Sequence, residues 1–192
     1  MNLILKIVVV VFIIYYFKNE FNNDNSLQNN DSAELSVSQI RGDIYDFRIR
    51  ALGDVERSDL EDALRILENF YGYRCKIESR VEISSEMRID GTDEIINSHE
   101  ALKALKEYEK TIFIVDKRLW SSGTYYRGYT NGTTVIVRGD KSIMKETLLH
   151  EIGHTLGLGH CDNLSCIMAV NNDQWETGNF CEKCKRQLNI NK

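Results

Sequence analysis

Apolar and polar positions along the middle of the chain follow two periods, which predict strands and helices in succession. Four segments have the composition and spacing of strands, at residues 44–52, 73–83, 111–116 and 133–138. The runs TIFIVD and TTVIVR are continuous enough in apolar residues to suit buried strands. Helices are predicted at 58–72, 98–110 and 141–158. This order of elements predicts an α/β (α+β) fold, in which helices cover a mixed β-sheet.

Boundary signals accompany two of these elements. Ser58 is placed to cap the helix at 58–72, Glu61 completes a capping box, and Gly72 follows as the stop. Asn131-Gly132, a pair that favours tight turns, leads into the strand at 133–138. The first helix and the last strand therefore have the clearest predicted limits.

The segment 141–158 predicts an amphipathic helix that carries two histidines on one face. Its mostly apolar positions recur at helical intervals, at Ile143, Met144, Thr147, Leu148, Ile152 and Leu156. Residues four apart share a helix face, so His150 and His154 project together and can hold one metal ion. Gly157 stands where the helix needs to stop, because glycine tolerates a positive φ. The chain can then turn and bring His160 to the same point.

The spacing therefore predicts a centre of three imidazoles with an open fourth position, which is the arrangement of a catalytic zinc. Glu151 lies about 100° around the helix from His150 and is placed to reach a metal-bound water. A single histidine would more often be a helix cap or a hydrogen-bonded core residue. The complete pattern HExxHxxGxxH favours the metal site over that alternative. His99, near the start of the helix at 98–110, is interpreted as structural.

A second cluster of metal-binding side chains follows the histidines. Four of the five cysteines lie in the last 32 residues, at Cys161, Cys166, Cys181 and Cys184. Two closely spaced pairs of thiolates can form a closed, tetrahedral zinc site. Such a site would order a segment that has little apolar material to bury. Two disulfides are the alternative, which an exported domain could form. Cys75 is interpreted as a small buried residue.

The first residues differ in character from the rest of the chain. Residues 3–17 are apolar except for Lys6, and residues 19–38 are polar and rich in asparagine. The apolar run is shorter than the ~20 residues that span a bilayer comfortably, but lysine snorkelling could extend it. We therefore predict an uncleaved, single-pass membrane anchor at 1–18, a linker at 19–38 and a globular domain at 39–192. The alternative is a cleaved signal peptide and a secreted protein.

Charge excludes one class of partner. The chain carries 29 acidic and 24 basic residues, for a net charge of −5. No basic patch or stripe dominates the sequence, so a nucleic acid is not an expected partner.

The stretch HEIGHTLGLGHC, followed by DNLSC, by Ile167-Met168 and by CEKC, resembles the archaemetzincins, a family within the metzincin clan of zinc metallopeptidases. The resemblance implies a metzincin-like fold with an active-site helix and a small, zinc-stapled C-terminal subdomain. It also implies two zinc ions. His150, His154 and His160 would bind the catalytic ion, and the four C-terminal cysteines would bind the structural one. Glu151 would be the general base, and Met168 would form the Met-turn beneath the catalytic metal.

The expected activity is hydrolysis of peptide bonds in a peptide or protein substrate by a zinc-activated water, with Glu151 as general base. The strand TTVIVR is the expected sheet edge along which an extended substrate lies, and Tyr125, Tyr126 and Tyr129 are candidates to line the cleft. Two alternatives stay open. One is a zinc-stabilised peptide-binding module with little or no turnover, and the other is hydrolysis of a non-peptide amide.

Overall fold

The architecture is built on a five-stranded sheet. It is seen in a computed structural model that describes residues 45–89, 91–106, 108, 110–169 and 178–188. These residues belong to one compact unit, Asp43–Lys192. The strands are β1 (Phe47–Leu52), β2 (Cys75–Ile77), β3 (Ile95–Asn97), β4 (Thr111–Val115), β5 (Arg118–Ser121), β6 (Thr124–Tyr126), β7 (Gly128–Thr130) and β8 (Thr134–Arg138). The helices are α1 (Arg57–Tyr71), α2 (Ser98–Ala104), α3 (Met144–Thr155) and α4 (Glu182–Gln187), with a short 3₁₀ turn at Ser85–Met87.

The main sheet has the strand order β2-β1-β4-β8-β7. Its first four strands are parallel, and β7 pairs antiparallel to β8 at the edge. All five residues of β4 are buried, as are the first four of β8. Continuous burial on both faces is what a parallel sheet with covered faces requires, and it explains the unbroken apolar runs in these two segments. A smaller sheet has the order β3-β5-β6.

The two faces of the main sheet carry separate cores. Ile112 and Ile114 point to one face, where α1 and α3 pack through residues such as Leu67 and Leu148. Phe113 points to the other face. There, α2 and the smaller sheet cover it with Ile96, Ala101, Leu102 and Leu119. This period of two follows from the strand geometry. The mixed sheet covered by helices, which the sequence predicts, is confirmed.

Several element boundaries differ from the sequence prediction. The strand predicted at 73–83 is reduced to Cys75–Ile77, and the helix predicted at 98–110 ends at Ala104. Helix α1 begins at Arg57 without a side-chain cap, so the capping box is wrong. Glu61 instead receives a hydrogen bond from the Arg57 guanidinium at 3.0 Å. Gly72 ends the helix as predicted, with φ at 71°.

The strand predicted to form the substrate edge is not at an edge. TTVIVR forms β8, which lies between β4 and β7 and is hydrogen-bonded on both sides. The edge is β7, a strand of three residues from the segment rich in glycine and tyrosine. The prediction was wrong because so short a strand has too few residues to show a period.

The predicted single-pass membrane anchor requires correction. None of the helices in the part of the chain that the structure describes combines the length and the apolar character needed to cross a bilayer. The longest, α1, has 15 residues and alternates buried with exposed positions. Residues 3–17, on which the prediction of a membrane-anchored protein rested, lie outside the described residues. The boundaries predicted at 1–18 and 19–38 also lie outside them, and the start of the domain at residue 39 stays a prediction.

Candidate metal centres

Helix α3 and the turn that ends it bring the three C-terminal histidines together. The helix ends at Thr155, and Gly157 adopts a φ of 88°, a left-handed conformation that suits glycine. The amide of Leu158 donates to the carbonyl of Gly153 at 2.9 Å, which closes the helix end. The chain reverses there and returns His160 toward the helix. The turn predicted from Gly157 is therefore present.

The three imidazoles converge on one point. Their ring centroids are separated by 4.7, 5.5 and 4.8 Å, and one nitrogen from each lies within 4.8 Å of the others. The Nε2 atoms of His150 and His154 are 3.1 Å apart. His150 is almost fully buried, whereas His160 is exposed. The site thus opens to solvent on the side of His160.

Hydrogen bonds to backbone carbonyls decide which nitrogen of each helical histidine faces the site. Nδ1 of His150 lies 2.7 Å from the carbonyl oxygen of Ile167, and Nδ1 of His154 lies 2.9 Å from that of Leu158. A carbonyl can only accept, so each Nδ1 donates its proton and each neutral ring presents an Nε2 lone pair. Two lone pairs held 3.1 Å apart repel each other unless a cation lies beside them. The pair therefore fits a metal ion, with the outer hydrogen bonds that ligating histidines require.

Burial favours the neutral form of His150 and of His160, as metal binding demands. The pKa of His150 is lowered to about 4, chiefly by burial and also by the neighbouring imidazoles of His154 and His160, while the hydrogen bond to the Ile167 carbonyl opposes the shift. Burial and His154 also lower the pKa of His160. Protonated rings would lose the lone pairs that a metal needs, so the low pKa values favour ligation.

Glu151 lies next to the histidines on α3 but is not one of the converging donors. Its side chain is 8% exposed, and burial raises the pKa of its carboxyl to about 8. The first residue of the edge strand, Gly128, lies directly against it. A buried carboxyl group beside a metal-binding cluster is typical of an acid–base group rather than of a surface glutamate.

Met168 packs against helix α3 at Gly153. It is fully buried, and a Cβ added to Gly153 of α3 would lie 2.5 Å from its sulfur atom. Phe180 would lie 3.3 Å from the same added atom. The absence of a side chain at Gly153 therefore lets Met168 approach the backbone of the helix.

Gly153→Ala is expected to destabilise the protein by roughly 1–3 kcal/mol, because the new methyl group overpacks the contact with Met168. In an open helix the same change would stabilise by up to about 1 kcal/mol, so the sign of the effect identifies the contact. Urea denaturation measures the change. Gly159→Ala is the control, since nothing lies within 4 Å of a Cβ at that position. A Gly153→Ala protein as stable as wild type would contradict this packing.

The four C-terminal cysteines form a second cluster immediately after the histidines. One sulfur from each lies within 4.8 Å of the others. The Sγ atoms of Cys161 and Cys181 are 3.7 Å apart, as are those of Cys166 and Cys184. A tetrahedral zinc site with zinc–sulfur bonds of ~2.3 Å has sulfur–sulfur edges of about 3.8 Å. The spacing fits a metal site and exceeds the ~2.05 Å of a disulfide.

A backbone amide and burial both affect the cysteine sulfur atoms of this cluster. The amide of Cys181 donates to the sulfur of Cys166 at 3.3 Å. Burial raises the pKa of Cys166 and of Cys184, so these thiols would need a cation to become thiolates. Cys75 lies apart in β2, where burial raises the pKa of its thiol to about 12. Its place in the first core agrees with the interpretation as a small buried residue.

One short segment, residues 160–169, serves both clusters. It begins with His160 and supplies Cys161 and Cys166 to the cysteines. It also contains Met168 and the Ile167 carbonyl that orients His150. The amide of Cys161 donates to the carbonyl of Met168 at 2.8 Å, which closes the segment on itself. The two clusters are therefore neighbours held by shared backbone.

Sequence reasoning missed the groups that support these clusters. The carbonyls of Leu158 and Ile167 have no signature, because every residue has a carbonyl. Tyr71 of α1 was also missed, although its hydroxyl donates to the carbonyl of Leu149 at 3.2 Å. Of the tyrosines predicted to line a cleft, Tyr125 is exposed beneath the Arg118 guanidinium, while Tyr126 and Tyr129 pack edge to face on each other.

Comparison with known proteins points to one family. Residues 127–190 match the model of peptidase family M54. The archaemetzincin of Sulfolobus acidocaldarius is 38% identical over 71 residues, which are 35% of this chain and 37% of that protein. The archaemetzincin of Pyrococcus horikoshii is 40% identical over 60 residues, which are 27% of this chain and 32% of that protein. The chain thus spans about a third of the length of these curated relatives.

Solved structures extend the likeness to the fold. The archaemetzincin of Archaeoglobus fulgidus, solved in complex with malonate, matches with a TM-score of 0.62 at 20% identity, over 73% of this chain and 98% of that one. The archaemetzincin of Methanopyrus kandleri matches with a TM-score of 0.59 at 20% identity, over 74% and 93%. The resemblance predicted from residues 150–184 is therefore confirmed, together with the fold class.

Proposed function

We propose that this archaemetzincin-like chain is a zinc-dependent peptidase that hydrolyses peptide bonds. One observation carries the proposal: the Nε2 atoms of His150 and His154 lie 3.1 Å apart with their lone pairs inward, beside the buried carboxyl of Glu151 on the same helix. A purely structural metal site has no use for that carboxyl. Three imidazole ligands leave one position open, as in catalytic rather than structural zinc sites.

Different residues of the chain would have different roles in hydrolysis. His150, His154 and His160 would hold the ion through one nitrogen each. When bound, zinc supplies Lewis acidity, which lowers the pKa of water toward ~7 and polarises a peptide carbonyl. Glu151 accepts the proton from water and delivers it to the leaving amine. Burial raises the pKa of its carboxyl to about 8, and the positive charge of a bound zinc ion would oppose that shift and favour the carboxylate that accepts the proton.

The edge strand β7 is the proposed substrate platform, in place of β8. Among the described strands it has a neighbour on one side only, and its first residue lies against Glu151. An extended peptide could add to this edge through its main chain, which fixes the scissile bond without dictating side chains. The proposed substrate is accordingly an extended peptide or an unfolded segment of a protein.

The cysteine cluster is proposed to hold a second, structural zinc ion. All four donors are sulfur atoms, and three of the four cysteines are buried, which leaves no open position for a substrate. The helix α4 has only six residues and would not be stable alone. A bound metal ion would stabilise the folded conformation of this short C-terminal segment, which buries too little apolar surface to fold by itself.

Cleavage of a quenched fluorescent peptide library by the full-length chain tests the activity. We expect hydrolysis that stops after metal removal with a chelator and returns on addition of zinc. His154→Ala is expected not to recover, because it lacks one of the three ligands. Retained peptide binding without cleavage, at full zinc occupancy, would contradict the proposal and favour a zinc-stabilised peptide-binding module.

A further inference from the structure

Gly128, the first residue of the edge strand, is in close contact with α3. It is buried, and a Cβ built on it would lie 2.7 Å from Cγ of Glu151 and 2.9 Å from Oε1 of the same side chain. The same atom would lie 2.7 Å from Cγ2 of Thr147. Real side chains do not approach this closely, so the backbone of β7 reaches the helix only because residue 128 has no side chain.

The backbone conformation does not explain the glycine. Gly128 is not among the glycines with a positive φ, so alanine could adopt its conformation without strain. Turn chemistry, which explains Gly157, therefore does not apply here. Glycine is needed at position 128 because the side chain of Glu151 occupies the space where a Cβ would lie.

The two neighbours differ in their freedom to move. Thr147 is 1% exposed, and its hydroxyl donates to the carbonyl of Ile143 at 2.8 Å, which fixes the rotamer of its methyl group. Glu151 has more rotatable bonds, and it directly follows His150, one of the three converging histidines. The contact with Glu151 can therefore be relieved by displacement of its carboxyl, whereas the contact with the fixed Thr147 methyl group requires a small shift of β7.

We infer that Gly128 is a positioning residue, which sets the place of the Glu151 carboxyl relative to the three histidines. This inference rests on the proposed function, because the position of Glu151 matters for catalysis only if Glu151 transfers protons. The edge strand β7 would then have two roles. It would pair with the substrate, and through Gly128 it would contact the side chain of the general base.

Gly128→Ala tests the inference on the full-length chain. We expect kcat for a cleaved reference peptide to fall roughly 10–100-fold, since small misplacements of a reacting group have effects of that order. KM and the zinc content should stay within about threefold of wild type, because the proposed metal ligands are unchanged and β7 needs to shift only slightly. Thr124→Ala is the control and should match wild type. Thr124 is an exposed residue of β6, which precedes β7 in the chain but belongs to the smaller sheet.

A double-mutant cycle separates positioning from simple packing. Gly128→Ala should lower Tm in the wild-type background but much less in a Glu151→Ala background, where Cγ and the carboxyl are gone. In a Thr147→Ser background, which removes the methyl contact, the loss of kcat should persist. Rescue of kcat by Thr147→Ser, an unchanged kcat in Gly128→Ala, or an equal loss of Tm in both backgrounds would each overturn the inference.

The Tm cycle also separates this inference from the proposed function. It measures the contact between Gly128 and Glu151 whether or not the protein cleaves peptides. If wild type shows no hydrolysis while the coupling in Tm is present, the proposed activity fails and the contact stands. If wild type cleaves peptides and the coupling is absent, the positioning role alone fails.

Discussion

Glu151→Gln is expected to lower peptide hydrolysis by about 10²–10⁴-fold while leaving zinc at the histidine site. Glutamine has nearly the same shape as glutamate, but it cannot accept a proton from water. Glu151 is not among the donors that converge, so its replacement leaves the three ligands intact. The values of kcat for one cleaved peptide and the zinc content of the same preparations measure the two effects.

Glu82→Gln is the matched control, because Glu82 is an exposed glutamate that pairs with Arg80 at 2.9 Å outside both clusters. It should keep the wild-type rate. A Glu151→Gln protein as active as wild type would remove Glu151 from the mechanism. A protein that loses zinc would show instead that the carboxyl supports the ligands.

The double change Cys181→Ser and Cys184→Ser is expected to reduce the metal content from about two ions per chain to about one or fewer. Two of the four sulfur donors are removed, and α4 loses its attachment to the rest of the domain. Because residues 160–169 are shared, the histidine site should also bind zinc more weakly. Elemental analysis gives the count, and chelator competition gives the affinity of the remaining ion.

Cys75→Ala is the control for this experiment. Cys75 is a buried thiol of β2 outside the cysteine cluster, so its removal should cost some stability but no metal. Retention of about two ions per chain by the double variant, with an intact fold, would contradict a structural zinc at the cysteines.

The convergence of the proposed metal ligands could be predicted because their pattern is local. His150 and His154 share a face for any helix, and Gly157 allows the reversal that returns His160. The buried strands β4 and β8 could also be predicted, since short, continuous apolar runs are typical of buried strands. In both cases the information lies within a dozen neighbouring residues.

Contacts between distant segments could not be predicted in this way. Strands β3, β6 and β7 have three residues each, too few to show a period, and the edge was consequently assigned to β8. The need for glycine at position 128 depends on a helix that begins 16 residues later.

If both clusters bind zinc as proposed, the segment 160–169, which contributes to both, couples the two binding events. Whichever proposed ion binds first orders the segment and bears the cost in conformational entropy. The second ion then binds to ligands that are already ordered. Linkage is reciprocal, so each ion raises the affinity of the chain for the other by the same factor. At limiting zinc concentrations, most molecules would then carry either two ions or none, and few would carry one.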